Sequence, residues 1–309
     1  MNLDSKILVT GASGLVGQAL VRVLYERLGH NHVTVPPHAE LDLTEQAGVN
    51  GFFDKYRPEY IFHCAAKVGG IVANATLSAK FIATNLRMQL NVIEAAHRTE
   101  VKRLLFFGSS CAYPKFAPVP VQETALLTGE LEPTNRAYAI AKIAGIEMCD
   151  AFRSQFGDDF ISCMPTNLYG IGDHYDLENS HVLPGMIRRF HEAKVAGAPS
   201  VTLWGTGTPT REFLFADDLA EAAVVLMNAA IPPRLVNVTS GREIALKDLA
   251  WIVAQVVGYK GEVIWDASKP DGTPRRVLDN AGMKAMGWQP QMPLETGIQH
   301  AYDDYVSRV

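Results

Sequence analysis

Three side chains near the middle of the sequence have the types and spacing for proton transfer to a carbonyl oxygen. Tyr138 and Lys142, in Tyr138-Ala139-Ile140-Ala141-Lys142, stand four residues apart and share one face of a helix. Upstream lies the strand end Phe107-Gly108-Ser109-Ser110-Cys111-Ala112-Tyr113-Pro114. A cation held beside a phenol favours the phenolate and lowers a pKa that is ordinarily near 10. Acting near pH 7 requires a shift of roughly three units, about 4 kcal/mol of differential stabilisation. One lysine supplies less than that, and a cationic nicotinamide alongside would add the rest. The expectation is acid/base chemistry beside a nicotinamide. Tyr138 donates a proton, Lys142 holds its pKa down and binds ribose hydroxyls, and Ser109 hydrogen-bonds a substrate carbonyl, with Ser110 competing for that last role.

The N-terminus supplies a place for such a cofactor. Lys6-Ile7-Leu8-Val9-Thr10 reads as a short apolar strand, followed by Gly11-Ala12-Ser13-Gly14-Leu15-Val16-Gly17 and a helical pattern from Gln18 to Leu24. Strand, glycine turn and helix in that order suit a dinucleotide pyrophosphate. Gly11 permits the tight turn, Gly14 lets the backbone approach phosphate, and Gly17 allows close helix packing, while the helix N-terminus faces the anion. The G-x-x-G-x-x-G spacing, with the serine and Tyr-x-x-x-Lys, resembles the extended short-chain dehydrogenase/reductase family.

A reductase needs only a hydride source and the tyrosine acid. Cys111, two residues beyond Ser109, is surplus to that task and well placed to act as a base, although a free cysteine is more often packed and inert. His181 is a lone histidine open to a structural or a chemical role. A thiolate and an imidazole flanking one ketone suit removal and return of protons at the neighbouring carbons. Arg189, Arg211 and Arg276 lie in the C-terminal part with Lys194 and Lys269 nearby, and an arginine fork matches phosphate oxygens. Trp204 either stacks on a base or sugar or fills a core. Asn135 or Thr134 is positioned to cap the helix that carries Tyr138.

These residues need a scaffold, and the chain has the pattern for one. Strands are expected at 32–35, 60–66, 103–107 and 160–164, with helices at 83–98 and 136–156 between them. Repeated β-α order predicts an α/β fold, a Rossmann-type doubly wound parallel sheet. Gly11, Ala65, Ser109 and Asn167 each follow a strand and should converge on one crevice. After Gly170 the character changes to a polar stretch over 172–183, a helix from Pro184 to Lys194, a strand and turn over 201–207, and a return toward the core at 211–219. Asp217 or Asp218 is expected to open a helix there. The predicted organisation is a dinucleotide-binding domain over 1–170 with a return segment near 212–239, and a smaller interleaved substrate domain over 171–309.

With 309 residues, 48% of them hydrophobic, and a net charge of −5, the chain reads as a globular protein without a nucleic-acid surface. No apolar run is long enough to span a membrane, no leader is expected before the first strand, and the four cysteines have neither metal-ligand spacing nor disulfide density. A cytoplasmic location and no metal are expected.

Longer strings are more particular. Gly108-Ser109-Ser110-Cys111, Glu132-Pro133-Thr134-Asn135, Tyr138 to Gly145, Met164-Pro165-Thr166-Asn167-Leu168-Tyr169-Gly170, Asn179-Ser180-His181-Val182-Leu183-Pro184, Trp204-Gly205-Thr206-Gly207 with Arg211-Glu212-Phe213, and Lys269 to Arg275 are similar to the GDP-L-fucose synthase family. That resemblance implies conversion of GDP-4-keto-6-deoxy-D-mannose to GDP-L-fucose, by epimerisation at C3 and C5 and NADPH-dependent reduction at C4. It implies Cys111 as epimerisation base, His181 as acid, and Ser109, Tyr138 and Lys142 as the reductive triad. Cofactor contacts are implied at Gly11, Ala12, Ser13, Gly14, Leu15, Val16, Gly17, Asp42, Phe107, Gly108, Ser109, Ser110, Tyr138, Lys142, Pro165, Thr166, Asn167, Leu168 and His181. GDP-sugar contacts are implied at Arg189, Trp204, Arg211 and Asp271. No acid stands at Pro36, which permits NADP(H), and no nearby arginine demands it. Related enzymes pair the Tyr138 helix and its neighbour across a two-fold axis, so a homodimer is expected; the helix has apolar positions at Ile143, Ile146 and Met148. The competing readings are another nucleotide-sugar epimerase or dehydratase of the same family, or a non-catalytic NAD(P)-binding sensor. A dehydratase would want an acidic pair near Cys111, and a sensor would not need an intact Ser109, Tyr138 and Lys142.

Overall fold

The computed structural model describes the chain except residues 2–3, 178–179 and 270, and the side chains at 71, 72 and 75. Asn179 and Pro270 of the strings above, and Asn2 and Leu3 before the first strand, therefore lie outside the described residues. The first half alternates as the pattern predicts: β1 (Ile7–Thr10), α1 (Leu15–Leu28), β2 (Val33–Thr34), α2 (Gln46–Tyr56), β3 (Tyr60–His63), α3 (Ile71–Thr76), α4 (Ser78–Arg98), β4 (Arg103–Phe107), α5 (Arg136–Phe156) and β5 (Phe160–Pro165). The second half runs β6 (Asn167–Tyr169), α6 (Val182–Val195), β7 (Ser200–Trp204), β8 (Thr210–Phe215), α7 (Ala216–Asn228), β9 (Leu235–Val238), β10 (Glu243–Ala245), α8 (Leu246–Val257), β11 (Glu262–Asp266), β12 (Arg275–Arg276), α9 (Ala281–Ala285) and α10 (Leu294–Val306).

β2-β1-β3-β4-β5-β9 form a six-stranded sheet, parallel throughout. Its strands are apolar on both faces because helices cover both. Ile7, Val9, Phe62, Leu105, Ile161 and Cys163 point into one core, under α1 and α7. The alternating residues Leu8, Ile61, Leu104, Phe106, Phe160 and Met164 point into the other, under α2, α4 and α5. A third core, built on α6, α8 and α10 with β7 and β8, underlies the second half. The chain returns to the first sheet through α7 and β9, and β8 meets β6, β10 and β12 on the way. Among the described residues, no helix is long and apolar enough to cross a membrane.

Several boundaries move for identifiable reasons. The second strand shrinks to Val33–Thr34 because His30–His32 form a tight turn after Gly29, whose φ is 78°. α7 begins at Ala216, with Asp217 and Asp218 inside its first turn rather than capping it. Neither Thr134 nor Asn135 caps α5: Pro133–Asn135 make a 3₁₀ turn that runs directly into the helix, and Arg136 N–H bonds the Pro133 carbonyl. The Thr134 hydroxyl donates to Glu132 instead, and Asn135 Oδ1 is buried without a partner. Ile143 and Ile146 are buried inside the chain, so the large exposed apolar side chains of this helix pair, among the described residues, are Leu90, Ile140 and Phe156.

Candidate active site

The chemistry-bearing residues gather at the carboxyl ends of the parallel strands, where such sheets bind ligands. β1 leads into Gly11, β3 into Cys64 and Ala65, β4 into Gly108 and Ser109, and β5 into Thr166 and Asn167. Cross-links hold these ends together. Ala65 N–H reaches Thr10 Oγ1 at 3.4 Å, Gly108 N–H donates to the Cys163 carbonyl at 2.8 Å, and the Thr166 and Asn167 side chains donate to the Glu212 carbonyl at 3.3 and 3.0 Å.

The glycine turn fits a dinucleotide. Gly11 has φ 69°, and a Cβ there would lie 2.7 Å from Ala65 Cα; a Cβ at Gly17 would lie 2.2 Å from the Gly11 carbonyl oxygen. Ala12 and Ser13 complete the turn, and the Ser13 carbonyl accepts the Gln18 amide at 2.8 Å. α1 starts at Leu15 behind Gly14, which gives no side-chain cap, and its first turn carries no acid. The N–H groups of Leu15 and Val16 thus stand at the positive end of the helix dipole, as an anion requires. Beyond β2, Val35-Pro36-Pro37 offers no carboxylate. The first acids downstream are both engaged: Glu40 accepts the Tyr56 hydroxyl at 3.0 Å, and Asp42 accepts the Thr44 hydroxyl and N–H at 2.7 and 2.9 Å, bonds that lower its pKa.

Tyr138 and Lys142 project from the start of α5. Lys142 is buried, and its Nζ donates to the Phe107 carbonyl at 2.6 Å and stands 6.0 Å from the centroid of the Tyr138 ring. Burial brings the lysine down to about 8. Ser109 Oγ accepts the Cys111 N–H at 3.3 Å and hydrogen-bonds Tyr138, whereas Ser110 is buried. The lowered phenol pKa expected from sequence is not met within the chain itself. Burial pushes the Tyr138 phenol well up and the neighbouring Cys111 adds to this, against the smaller opposing effect of the Ser109 bond. Lys142 faces the ring and spends a hydrogen bond on a carbonyl, so its charge does not reverse the balance.

Cys111 is a free, half-buried thiol in the turn Ser110–Ala112. It lies close enough to Tyr138, Arg211 and Arg276 to influence the ionisation of all three. Burial lowers both arginines. Arg211, on β8, also feels Asp271, whose carboxylate accepts the Thr206 N–H and hydroxyl at 2.9 and 2.7 Å. Trp204 is 61% exposed beside them, with Lys269 Nζ 5.7 Å from its ring centroid. Trp204 and Arg211 thus flank the turn between β7 and β8, and Asp271 reaches that turn from the segment between β11 and β12, while Arg189 stands apart on α6, half-buried. His181 is the first residue before α6; the residue is exposed overall, yet burial among surrounding protein lowers the imidazole pKa. No hydrogen bond joins it to Cys111 or Tyr138 among the described residues.

Two further residues belong to this neighbourhood. His63, at the end of β3, is buried with Nδ1 2.8 Å from Thr10 Oγ1 and Nε2 unpartnered, and burial lowers it to about 3. Its place in an apolar run was the only signal, and that reads as strand. Arg276, expected among the phosphate-facing arginines, is 8% exposed and turned inward: Nη1 donates to the carbonyls of Ser110, Tyr113 and Pro114 at 3.1, 3.4 and 3.4 Å.

A dinucleotide turn and a Ser–Tyr–Lys group at one sheet edge define an extended short-chain dehydrogenase/reductase. The model of the NAD dependent epimerase/dehydratase family matches residues 7–239. GDP-L-fucose synthase 1 of Arabidopsis thaliana is 54% identical over 99% of this chain and 94% of its own length, and GDP-L-fucose synthase of Escherichia coli is 46% identical over 96% and 95%. A crystal structure of a GDP-L-fucose synthetase from Naegleria fowleri bound to NADP superposes with a TM-score of 0.91, at 26% identity, over 100% of this chain and 96% of that one. The chain belongs to the NAD dependent epimerase/dehydratase family, and within it to the GDP-L-fucose synthases.

Proposed function

We propose that this protein converts GDP-4-keto-6-deoxy-D-mannose to GDP-L-fucose, inverting C3 and C5 and then reducing C4 with NADPH. The observation that carries the reading is the free Cys111 thiol set beside Ser109 and Tyr138, in a turn flanked by Arg211 and Arg276. A plain reductase has no use for it. The glycine turn would hold the pyrophosphate and Lys142 the nicotinamide ribose, and the engaged Glu40 and Asp42 leave the ribose region without a free carboxylate, which suits a 2′-phosphate. Bound NADPH supplies the hydride that reduces C4.

The 4-keto group acidifies the protons on C3 and C5. Cys111 removes each as a general base, and His181 returns one from the opposite face of the ring, so each centre inverts with no net proton change. Through both steps Ser109 and Tyr138 hydrogen-bond the C4 oxygen as it gains negative charge. A phenol whose pKa is raised remains a donor there, which suits a group that must hold an enolate before it protonates an alkoxide. Trp204, Arg211 and Asp271 are assigned to the GDP-sugar, as is Arg189 on α6.

The division into a dinucleotide-binding part (1–170 with 212–239) and a smaller GDP-sugar part (171–309) belongs to the same reading, supported by the separate core on α6, α8 and α10. So does a homodimer through α4 and α5, whose outer surface exposes Leu90, Ile140 and Phe156, and so does a cytoplasmic location. The test is to incubate the protein with GDP-4-keto-6-deoxy-D-mannose and NADPH, follow nicotinamide absorbance, and identify the sugar. NADPH loss with GDP-L-fucose is the expected result. A C4-reduced sugar with C3 and C5 unchanged would leave Cys111 and His181 structural.

A further inference from the structure

The segment from β12 onward, which follows Asp271 along the chain, is a strap between the two halves of the site. Arg275 pairs with Glu243, the Val277 carbonyl accepts Val121 N–H at 2.8 Å, Asp279 N–H returns a bond to the Val121 carbonyl at 2.9 Å, and Leu278 N–H donates to the buried Glu212 carboxylate at 2.8 Å. In the middle of this strap Arg276 pairs in register with Arg211 of β8 and sends its guanidinium into the turn that bears Cys111. Its acceptors there, among the described residues, are main-chain carbonyls, at Ser110, Tyr113 and Pro114, which bracket the thiol on both sides. No carboxylate pairs with it among the described residues; Glu132 is near enough only to act at a distance. Burying a cation is unfavourable unless its surroundings compensate, so a guanidinium committed to three carbonyls of one short turn is a costly way to hold an inert loop.

We propose that Arg276 is a positioning residue for Cys111: by gathering the Ser110, Tyr113 and Pro114 carbonyls it fixes the thiol over the carbons it deprotonates and couples that geometry to the strap leading from Asp271. This rests on Cys111 being the epimerisation base. Arg276 itself touches neither the reductive triad nor the cofactor turn. Ser109 stands just after β4 at the start of this turn, whereas the carbonyls that Arg276 holds lie beyond it. Loosening the turn therefore impairs epimerisation far more than hydride transfer to the C4 ketone, and the enzyme reduces ketone that it has failed to invert.

The experiment gives wild type, Arg276→Met and Arg276→Lys the substrate and NADPH in D₂O, then separates the C4-reduced sugars and reads deuterium at C3 and C5; thermal melts and NADPH binding report integrity. In Arg276→Met the ratio of GDP-L-fucose to uninverted GDP-6-deoxyhexose should fall by about a hundredfold, the scale of a misplacement near 1 Å, with NADPH binding unchanged. Arg276→Lys keeps the charge and can reach fewer of the carbonyls, so its ratio should lie between the two, and it decides the matter should the methionine variant not fold. A merely structural role lowers both products together. An unchanged ratio in the folded variants would overturn the proposal, whereas absence of GDP-L-fucose from wild type would overturn the functional reading beneath it.

Discussion

Cys111 and Tyr138 address different bonds of the same ketone, the one acting on C–H and the other on the C4 oxygen, and their proximity means that each must be altered separately to see its part. Cys111→Ser replaces the thiol by a hydroxyl, a far weaker base near neutral pH, without enlarging the side chain. It should abolish solvent deuterium entry at C3 and C5 while NADPH consumption continues and yields an uninverted sugar. Tyr138→Phe removes the proton donor and should lower the reductive rate by roughly 10²–10⁴, the scale of a lost general acid, while exchange survives in part because Ser109 still faces the C4 oxygen. Mass spectrometry of the sugar beside nicotinamide absorbance reads both. Undiminished exchange in the serine variant would return Cys111 to a packing role, and near wild-type turnover in the phenylalanine variant would end the assignment of Tyr138.

At the scale of elements, the position of those two side chains depends on how closely α5 lies against β4. Gly145 makes that contact: a Cβ there would lie 2.3 Å from Phe106 Cζ, and Phe106 is itself 1% exposed within the core. Gly145→Ala should therefore displace the helix or the ring and cost about 1–3 kcal/mol of stability, the range for overpacking, although alanine is the better helix former. Because Tyr138 and Lys142 ride on the same helix, kcat should fall with the melting temperature; a more stable, fully active variant would show that Phe106 yields easily. The same contact marks what the sequence made legible. Tyr138, Lys142 and Gly145 recur along one helix, and the bounds 136–156 follow from that pattern with α5 ending at Gly157. The parallel sheet and the Gly11 turn are similarly local, carried by short apolar runs and glycines. What stays hidden depends on distant partners. The buried Gln89 amide on α4 donates to the Ala141 carbonyl at 2.8 Å, and the inward turn of Arg276 needs carbonyls more than 160 residues away. Polar side chains of this kind look like surface in a sequence, and only the fold tells where they point. The direction of the Tyr138 shift was lost for the same reason: spacing displays the lysine but not the burial that outweighs it.

The whole molecule has to hold its cofactor turn and its C-terminal helix in one arrangement, and the junction between them contains a buried acid that serves neither. The Gly172 carbonyl accepts the Gln18 amide of α1 at 3.4 Å, and its N–H donates to Asp304 of α10 at 3.0 Å. Beside it Asp173 is 7% exposed; its Oδ1 accepts the His174 N–H at 2.7 Å, and its Oδ2 is buried with no partner. Burial raises this carboxyl from 3.8 to about 7, against the His174 N–H and Arg308, with Asp304 adding to the rise. Between those two values the folded chain keeps a proton that the unfolded chain has released, so stability falls as the pH climbs through that window and the loss is complete above it. Asp173→Asn removes the titration while preserving size and the acceptor for His174. The variant should match the parent near pH 4 and be more stable at pH 8, by an amount that grows through the window to at most about 4 kcal/mol for a shift of three units. Urea unfolding of both proteins at several pH values measures it. A difference that does not vary with pH would mean that Asp173 stays ionised in the fold, paired through Arg308 after all.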